Sequence, residues 1–151
     1  MKLYHYTSLE HLRQILTDGK INLSASNLLR PINPHMENRC FVDDTDNYKP
    51  VVWFTSLLDF DRAVNCGLSP SKTEAAIQIE SPGKPLFRKW DKWAIENSIE
   101  KKWFDTLKET APLWKTFYIT ETPVKINETA RIIFRPDIQQ SFQEAQKPCR
   151  F

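Results

Sequence analysis

The sequence predicts a single α+β domain in which strands outnumber helices. Its 151 residues suffice for one well-buried core and are too few for two ordinary domains. Short apolar and aromatic runs, separated by turn-forming residues, recur along the chain and are typical of strands. Helical spacing of apolar residues is confined to a few stretches that carry start or stop signals. We therefore expect one domain over residues 1–151, with a sheet flanked by helices.

The first strand and helix follow each other directly. Residues 2–6 have the aromatic content of a strand. Thr7 with Glu10 forms a T-x-x-E capping box, which predicts that a helix starts there. The apolar residues that follow recur on one helical face, and Gly19 supplies the expected stop.

The remaining elements are predicted from the same signals. Residues 26–50 are rich in Asn, Pro and Asp and predict a long loop, of the kind that often serves as a lid or binding segment. A break near Pro123 divides one apolar stretch into one or two strands. Further strands are predicted at residues 21–24, 51–56, 74–81, 114–126 and 129–134, and further helices at residues 57–67, 89–110 and 137–146.

Composition narrows the function classes. Hydrophobic residues make up 40% and aromatic residues 12% of the chain, which argues against disorder. The net charge of +2 neither requires nor excludes nucleic acid as a partner. Cys40, Cys66 and Cys149 form no C-x-x-C pair, and His35 with Cys40 is too little to suggest a metal site. With no leader-like segment or membrane-length apolar run, we expect a cytoplasmic protein without membrane or metal partners.

Two segments pair aromatic residues with hydroxyl side chains at the end of a predicted strand. The first is "YHYTS", which places His5 just before the chain turns into a helix, and the second is "VWFTS", which begins at Val52. A lone histidine on an apolar strand is more often a packed residue whose ring bonds a backbone carbonyl than a ligand-binding one. The combination of the two segments favours a functional role for His5.

Together the two segments resemble the ADP-ribosyltransferase fold, in its histidine–aromatic–glutamate class. Diphtheria toxin, the poly-ADP-ribose polymerases and the DNA-modifying ADP-ribosyltransferase toxins belong to this class. The resemblance implies a split β-sheet core with flanking helices, with NAD as a substrate. It also implies transfer of ADP-ribose to a protein or nucleic acid, in a protein such as a bacterial or phage effector, toxin or anti-defence protein.

The resemblance also assigns roles to residues. In this reading His5 reaches the adenosine-side ribose, and Trp53 takes the place of a tyrosine that stacks on nicotinamide. The long loop would fold over the dinucleotide and offer a cation to its pyrophosphate from Arg30, Arg39 or Lys49. His5 and Trp53 are expected to face one cleft from neighbouring strands. The NAD-binding residues are then His5, Tyr6, Thr7, Trp53, Phe54, Thr55, Ser56 and Arg30.

The catalytic carboxylate has two principal candidates, Glu121 and Glu128, and a weaker third in Glu80. In the family the glutamate opens a strand that another strand soon follows, and this favours Glu121. A carboxylate at that place stabilises the cation that forms as the nicotinamide–ribose bond breaks.

Three other functions remain open. An RNA 2′-phosphotransferase shares the fold, and an NAD glycohydrolase needs no acceptor other than water. A non-catalytic module is the third possibility, in which Trp90, Trp93 and Trp103 with their neighbouring lysines stack on bases or contact a protein. The helical spacing of these tryptophans favours packing in the core or against a partner over base stacking.

Overall fold

The chain folds as an α+β structure, with a mostly antiparallel sheet and several helices. The computed structural model describes residues 1–23, 50–65, 70–81, 86–97 and 101–146. The strands are β1 (Lys2–Thr7), β2 (Lys20–Ile21), β3 (Val52–Thr55), β4 (Ala75–Glu80), β5 (Arg88–Lys89), β6 (Phe117–Thr120), β7 (Val124–Lys125) and β8 (Arg131–Phe134). The helices are α1 (Leu9–Asp18), α2 (Phe60–Asn65), α3 (Trp90–Glu96), α4 (Lys101–Thr110) and α5 (Pro136–Ala145).

Six strands form one sheet in the order β5-β6-β3-β1-β4-β8, and each neighbouring pair is antiparallel. The short strands β2 and β7 pair separately. The two strands that carry the "YHYTS" and "VWFTS" segments, β1 and β3, are therefore neighbours at the centre of the sheet. This neighbouring arrangement confirms one part of the sequence prediction.

The central sheet is weakly joined between β1 and β3. Six register pairs connect β1 with β4 and four connect β3 with β6, whereas Tyr4↔Thr55 alone connects β1 with β3. The six strands form one sheet, but the three strands β5-β6-β3 are joined to the three strands β1-β4-β8 by a short pairing, and we call this junction between β1 and β3 the split. His5 follows Tyr4 and lies where the pairing stops.

Each face of the sheet has its own core. On one face, α1 packs on alternate residues of the central strands. This cluster contains Leu3, Leu12, Ile15, Ile21, Val52, Phe54, Ala75, Ile77, Ile79 and Phe87. The opposite face is rich in tryptophan and is covered by α3 and α4. Its cluster contains Val51, Trp90, Trp93, Ala94, Leu107, Ala111 and Ile119.

The start of α1 corrects the predicted capping box. Thr7 is the buried last residue of β1 and pairs with Ala75, so its side chain is committed to the sheet. Ser8 is the N-cap instead, and its hydroxyl accepts a hydrogen bond of 3.1 Å from the His11 backbone N–H. Gly19 ends α1 in the left-handed conformation at a φ of 70°, as predicted.

Other elements depart from the prediction in length. The helix predicted over residues 89–110 is two helices. The first, α3, ends at Glu96, and the side chain and backbone N–H of the next residue, Asn97, both donate to the Trp93 carbonyl. The break near Pro123 is confirmed by the separation of β6 from β7. Gly67, the predicted end of α2, lies outside the described residues.

Candidate functional site at the split in the sheet

His5 bridges the split with its own side chain. Its Nδ1–H donates a hydrogen bond of 2.8 Å to the Trp53 carbonyl, and its ring centroid lies 5.7 Å from that of Phe54. Because a carbonyl only accepts, Nδ1 carries the proton, and Nε2 of the neutral ring is an acceptor. Within the described part of the chain, no group bonds Nε2. The imidazole thus joins the two halves of the sheet with one nitrogen and presents the other as an acceptor.

Burial lowers the pKa of His5 below its usual value of 6.5. The hydrogen bond to the Trp53 carbonyl acts in the opposite direction, and the nearby His11 lowers the pKa further. His5 is therefore mostly neutral at pH 7. A neutral ring suits a group that accepts a hydrogen bond from a hydroxyl.

The expectation that His5 and Trp53 face one cleft is wrong, and the nicotinamide pocket that the two rings were expected to share is wrong with it. The register pair Tyr4↔Thr55 sets His5 opposite Phe54. Residues opposite each other share a face, and successive residues of a strand alternate between faces. His5 and Phe54 therefore lie on the α1 side, while Trp53 lies on the side of α3 and α4. The sequence predicted which strands are neighbours but did not determine their relative register.

The rings of Trp53 and Phe54 pack in the two cores. Trp53, which is half-buried, has ring centroids of Trp90 and Phe117 at 6.2 Å and 6.1 Å. Phe54 is 2% exposed and meets Phe87 edge-on at 5.3 Å. Both aromatic residues contribute to packing, and Phe54 is the one that contacts His5.

Tyr6 positions the helix that follows β3. Its hydroxyl donates to the Leu57 carbonyl at 3.2 Å and accepts from the Asp59 backbone N–H at 2.8 Å. Its ring contacts Phe60 edge-on at 5.4 Å. The Tyr6 side chain therefore ties β1 to the start of α2.

The hydroxyl residues of the two segments do not converge. Since β1 and β3 are antiparallel, Thr7 lies at one end of the sheet, and Thr55 and Ser56 lie toward the other. Ser56 is exposed, and its backbone N–H bonds the Thr116 carbonyl at 2.9 Å. A single small ligand therefore does not contact all three predicted hydroxyl groups.

Thr55 takes part in a chain of hydrogen bonds instead. Its hydroxyl lies 2.8 Å from that of Thr116, which donates to the Leu113 carbonyl at 2.7 Å. Thr55 therefore donates to Thr116 and accepts from the Leu57 backbone N–H at 3.2 Å. This chain fixes the end of β3 against the turn that precedes β6.

Glu121 is exposed and follows the last residue of β6, so the expectation that it opens a strand is wrong. The pair Val52↔Thr120 places Glu121 just beyond the level at which β1 ends. Glu121 is therefore three residue positions from His5 along the strand direction and two strands away in the sheet. On ordinary strand spacings, the two Cα atoms are on the order of 15 Å apart. This separation excludes direct contact but lies within the span of a dinucleotide.

Glu128 lies toward the other end of the sheet. Glu128 is exposed in the turn before β8. It comes four residues before Ile132, which pairs with Ile77, and Ile77 in turn pairs with His5. Glu80 is exposed at the end of β4, with the N-terminal ammonium group 3.8 Å away. Glu121 and Glu128 thus lie toward opposite ends of the sheet, and Glu128 precedes the edge strand β8, which β4 separates from β1.

The end of β1 is supported by a cluster that the sequence did not reveal. Glu74 Oε1 accepts from the Leu9 backbone N–H at 3.2 Å, at the start of α1. Arg135 bonds Asp137 with two nitrogens, at 2.6 Å and 2.9 Å, and donates to the Pro70 carbonyl at 2.8 Å. The Arg135 guanidinium group lowers the pKa of Asp137. The partners are 65 residues apart for both Leu9–Glu74 and Pro70–Arg135, so no local pattern indicates them.

Trp90 and Trp93 are 1% and 2% exposed and form part of the core, which confirms the packing that their helical spacing favoured and leaves them no role in base stacking. The side chain of Trp103 and all of Arg30, His35, Arg39, Cys40 and Lys49 lie outside the described residues. In the part of the chain that is described, no helix is long and apolar enough to cross a membrane. Within the same part, no group of three or more His, Cys, Asp or Glu residues is arranged to hold a metal ion.

Comparison with known proteins gives no match to this chain, whether among family models, curated proteins or solved structures.

Proposed function

We propose that the protein is an NAD-dependent ADP-ribosyltransferase that binds the dinucleotide along the split between β1 and β3. The observation that carries this proposal is the position of His5, whose ring stands where the pairing between the "YHYTS" and "VWFTS" strands stops. The split lies between the two segments on which the family resemblance rests.

His5 binds the adenosine-side ribose in this proposal. Nδ1 is held by the Trp53 carbonyl, so the ring orientation is fixed before a ligand arrives. Nε2 of the neutral ring then accepts a hydrogen bond from a ribose hydroxyl. Trp53 packs the opposite face and contacts no ligand in this proposal, which is a change from the role that the resemblance implied.

Glu121 supplies the carboxylate. Cleavage of the bond between nicotinamide and ribose builds positive charge on the ribose, and a nearby carboxylate stabilises that charge. Nicotinamide leaves with the bonding electron pair, and the acceptor adds to the ribose carbon and loses a proton. The distance between His5 and Glu121 requires that they contact different parts of one extended dinucleotide.

The acceptor in this proposal is a protein or nucleic acid, and the biological role is that of an effector or toxin directed at that molecule. An NAD glycohydrolase would also release nicotinamide, with water as the acceptor. The two activities differ in their need for a cell extract: the transferase requires the extract for full turnover, and the glycohydrolase does not.

The test is the release of nicotinamide from NAD, measured by liquid chromatography with and without a cell extract. We expect release by the wild type and a loss of about a hundred- to a thousand-fold in rate for Glu121→Gln, with unchanged affinity for NAD. Glu128→Gln is the matched control and should retain activity. Absence of release by the wild type under every acceptor condition contradicts the proposal. Loss of activity in Glu128→Gln alone moves the catalytic role to Glu128.

A further inference from the structure

Two aromatic rings and two lysines meet on the surface beside α4. Phe104 and Lys108 are one helical turn apart on α4, and Trp114 and Lys115 belong to the 3₁₀ turn that precedes β6. The Lys108 Nζ lies 4.0 Å from the Phe104 ring centroid and 4.6 Å from that of Trp114, and the Lys115 Nζ lies 5.7 Å from the Trp114 ring. We call these four residues the aromatic–lysine surface.

The aromatic–lysine surface is anchored to the core. Phe104 stacks on the buried Trp90, with centroids 5.0 Å apart and planes 18° from parallel. Beside it, the Trp114 backbone N–H bonds the carbonyl of the buried Ala111 at 3.0 Å. The rings are therefore positioned before any partner binds, which reduces the entropy lost on binding.

In the part of the chain that is described, the two lysines of this surface contact aromatic rings and not carboxylates. Among the described residues, neither Lys108 nor Lys115 forms an ion pair with a carboxylate. Trp114 is half-exposed and Lys115 is exposed, so both are accessible to a partner. Two ammonium groups beside an accessible indole ring are complementary to an anion that carries a flat aromatic group.

We propose that the aromatic–lysine surface binds single-stranded nucleic acid, with a base stacked on Trp114 and backbone phosphates beside Lys108 and Lys115. Single strands expose the faces of their bases, which stack on aromatic side chains without regard to sequence. A duplex keeps those faces covered. The surface lies on the side of the sheet opposite to His5, so binding there does not depend on the proposed NAD chemistry.

The test is the fluorescence anisotropy of a labelled 20-nucleotide oligo(dT), measured over a series of salt concentrations. We expect binding that weakens with salt. Lys115→Gln should reduce the slope of log K against log [salt] by about 0.7, as expected for the loss of one contact to a single strand. Lys20→Gln removes an exposed lysine of β2 and should leave the slope unchanged.

Trp114 provides the second arm of the test. Trp114→Leu should weaken binding by about five-fold or more, whereas Trp114→Phe keeps a ring and should recover most of the affinity. Circular dichroism of each variant establishes that it is folded. Because the Lys115 side chain is exposed, Lys115→Gln tests the surface even if Trp114→Leu fails to fold.

Three results would overturn the proposal. One is an absence of oligo(dT) binding at low salt. Another is equal loss of affinity in Lys115→Gln and Lys20→Gln. The third is equally tight binding of polyglutamate or of duplex DNA, which would indicate a general polyanion surface without base stacking.

Discussion

Replacing His5 with alanine is expected to destabilise the fold by about 3 kcal/mol. Loss of the 2.8 Å hydrogen bond to the Trp53 carbonyl costs about 1 kcal/mol. Truncating a fully buried aromatic ring costs about 3–5 kcal/mol, and the half-buried His5 should lose roughly half of that. For a chain of 151 residues, the sum corresponds to a fall in Tm of roughly 6–12 °C.

Urea unfolding at pH 7.5, followed by circular dichroism, measures this loss. His11→Ala is the matched control, since His11 is exposed on α1 and its replacement should change the free energy of unfolding by less than about 0.5 kcal/mol. His5→Asn retains an N–H donor for the Trp53 carbonyl and should recover about 1 kcal/mol relative to His5→Ala.

The reasoning is refuted if His5→Ala is as stable as His11→Ala. That result would mean that the imidazole does not join the two halves of the sheet. Equal stability of His5→Asn and His5→Ala would show that the ring contributes through packing alone.

Three further outcomes follow from the same geometry. Because the folded-state pKa of His5 lies below 6.5, the contribution of His5 to stability is complete above about pH 6.5 and is lost as the pH falls toward the folded-state value. In urea unfolding between pH 7.5 and 5.5, His5→Asn should therefore lose less stability than the wild type, and identical losses in the two proteins would contradict this. Thr55→Val should lower the free energy of unfolding by about 1–2 kcal/mol, since it leaves the Leu57 N–H without its acceptor. A variant that unfolds at the wild-type Tm would show that this chain of hydrogen bonds does not stabilise the fold. Ser8→Ala should lower the free energy of unfolding by about 1 kcal/mol and Glu10→Gln should hardly change it, because the N-cap is Ser8. A larger loss in urea unfolding for Glu10→Gln than for Ser8→Ala would instead support the predicted capping box.

Local signals predicted most of the elements. The apolar run of β3 and the stop at Gly19 are determined by nearby residues, and both are confirmed. The choice between Thr7 and Ser8 as the cap was not local, because it depends on the pairing of Thr7 with Ala75. Long-range pairing also extends β1 by one residue beyond its predicted end.

The candidate site was harder to predict, because it depends on register. A shift of one residue between two strands moves a side chain to the other face of a sheet. The sequence therefore indicated that His5 and Trp53 lie on neighbouring strands but not that their rings lie on opposite faces. The hydrogen bond from His5 to the Trp53 carbonyl also depends on this register, and it is the reason that truncating His5 is expected to lower stability.

The imidazole nitrogens of His5 provide the most direct test of NAD binding at the split. Long-range ¹⁵N–¹H correlation spectra, with His5 assigned from the spectrum of His5→Asn, report the protonation and bonding of each ring nitrogen. We expect His5 to be protonated at Nδ1 in the free protein, and we expect NAD to shift the Nε2 resonance of His5 while leaving the resonances of the exposed His11 unchanged. An unchanged Nε2 resonance of His5 at saturating, millimolar NAD would show that the dinucleotide does not bind at the split.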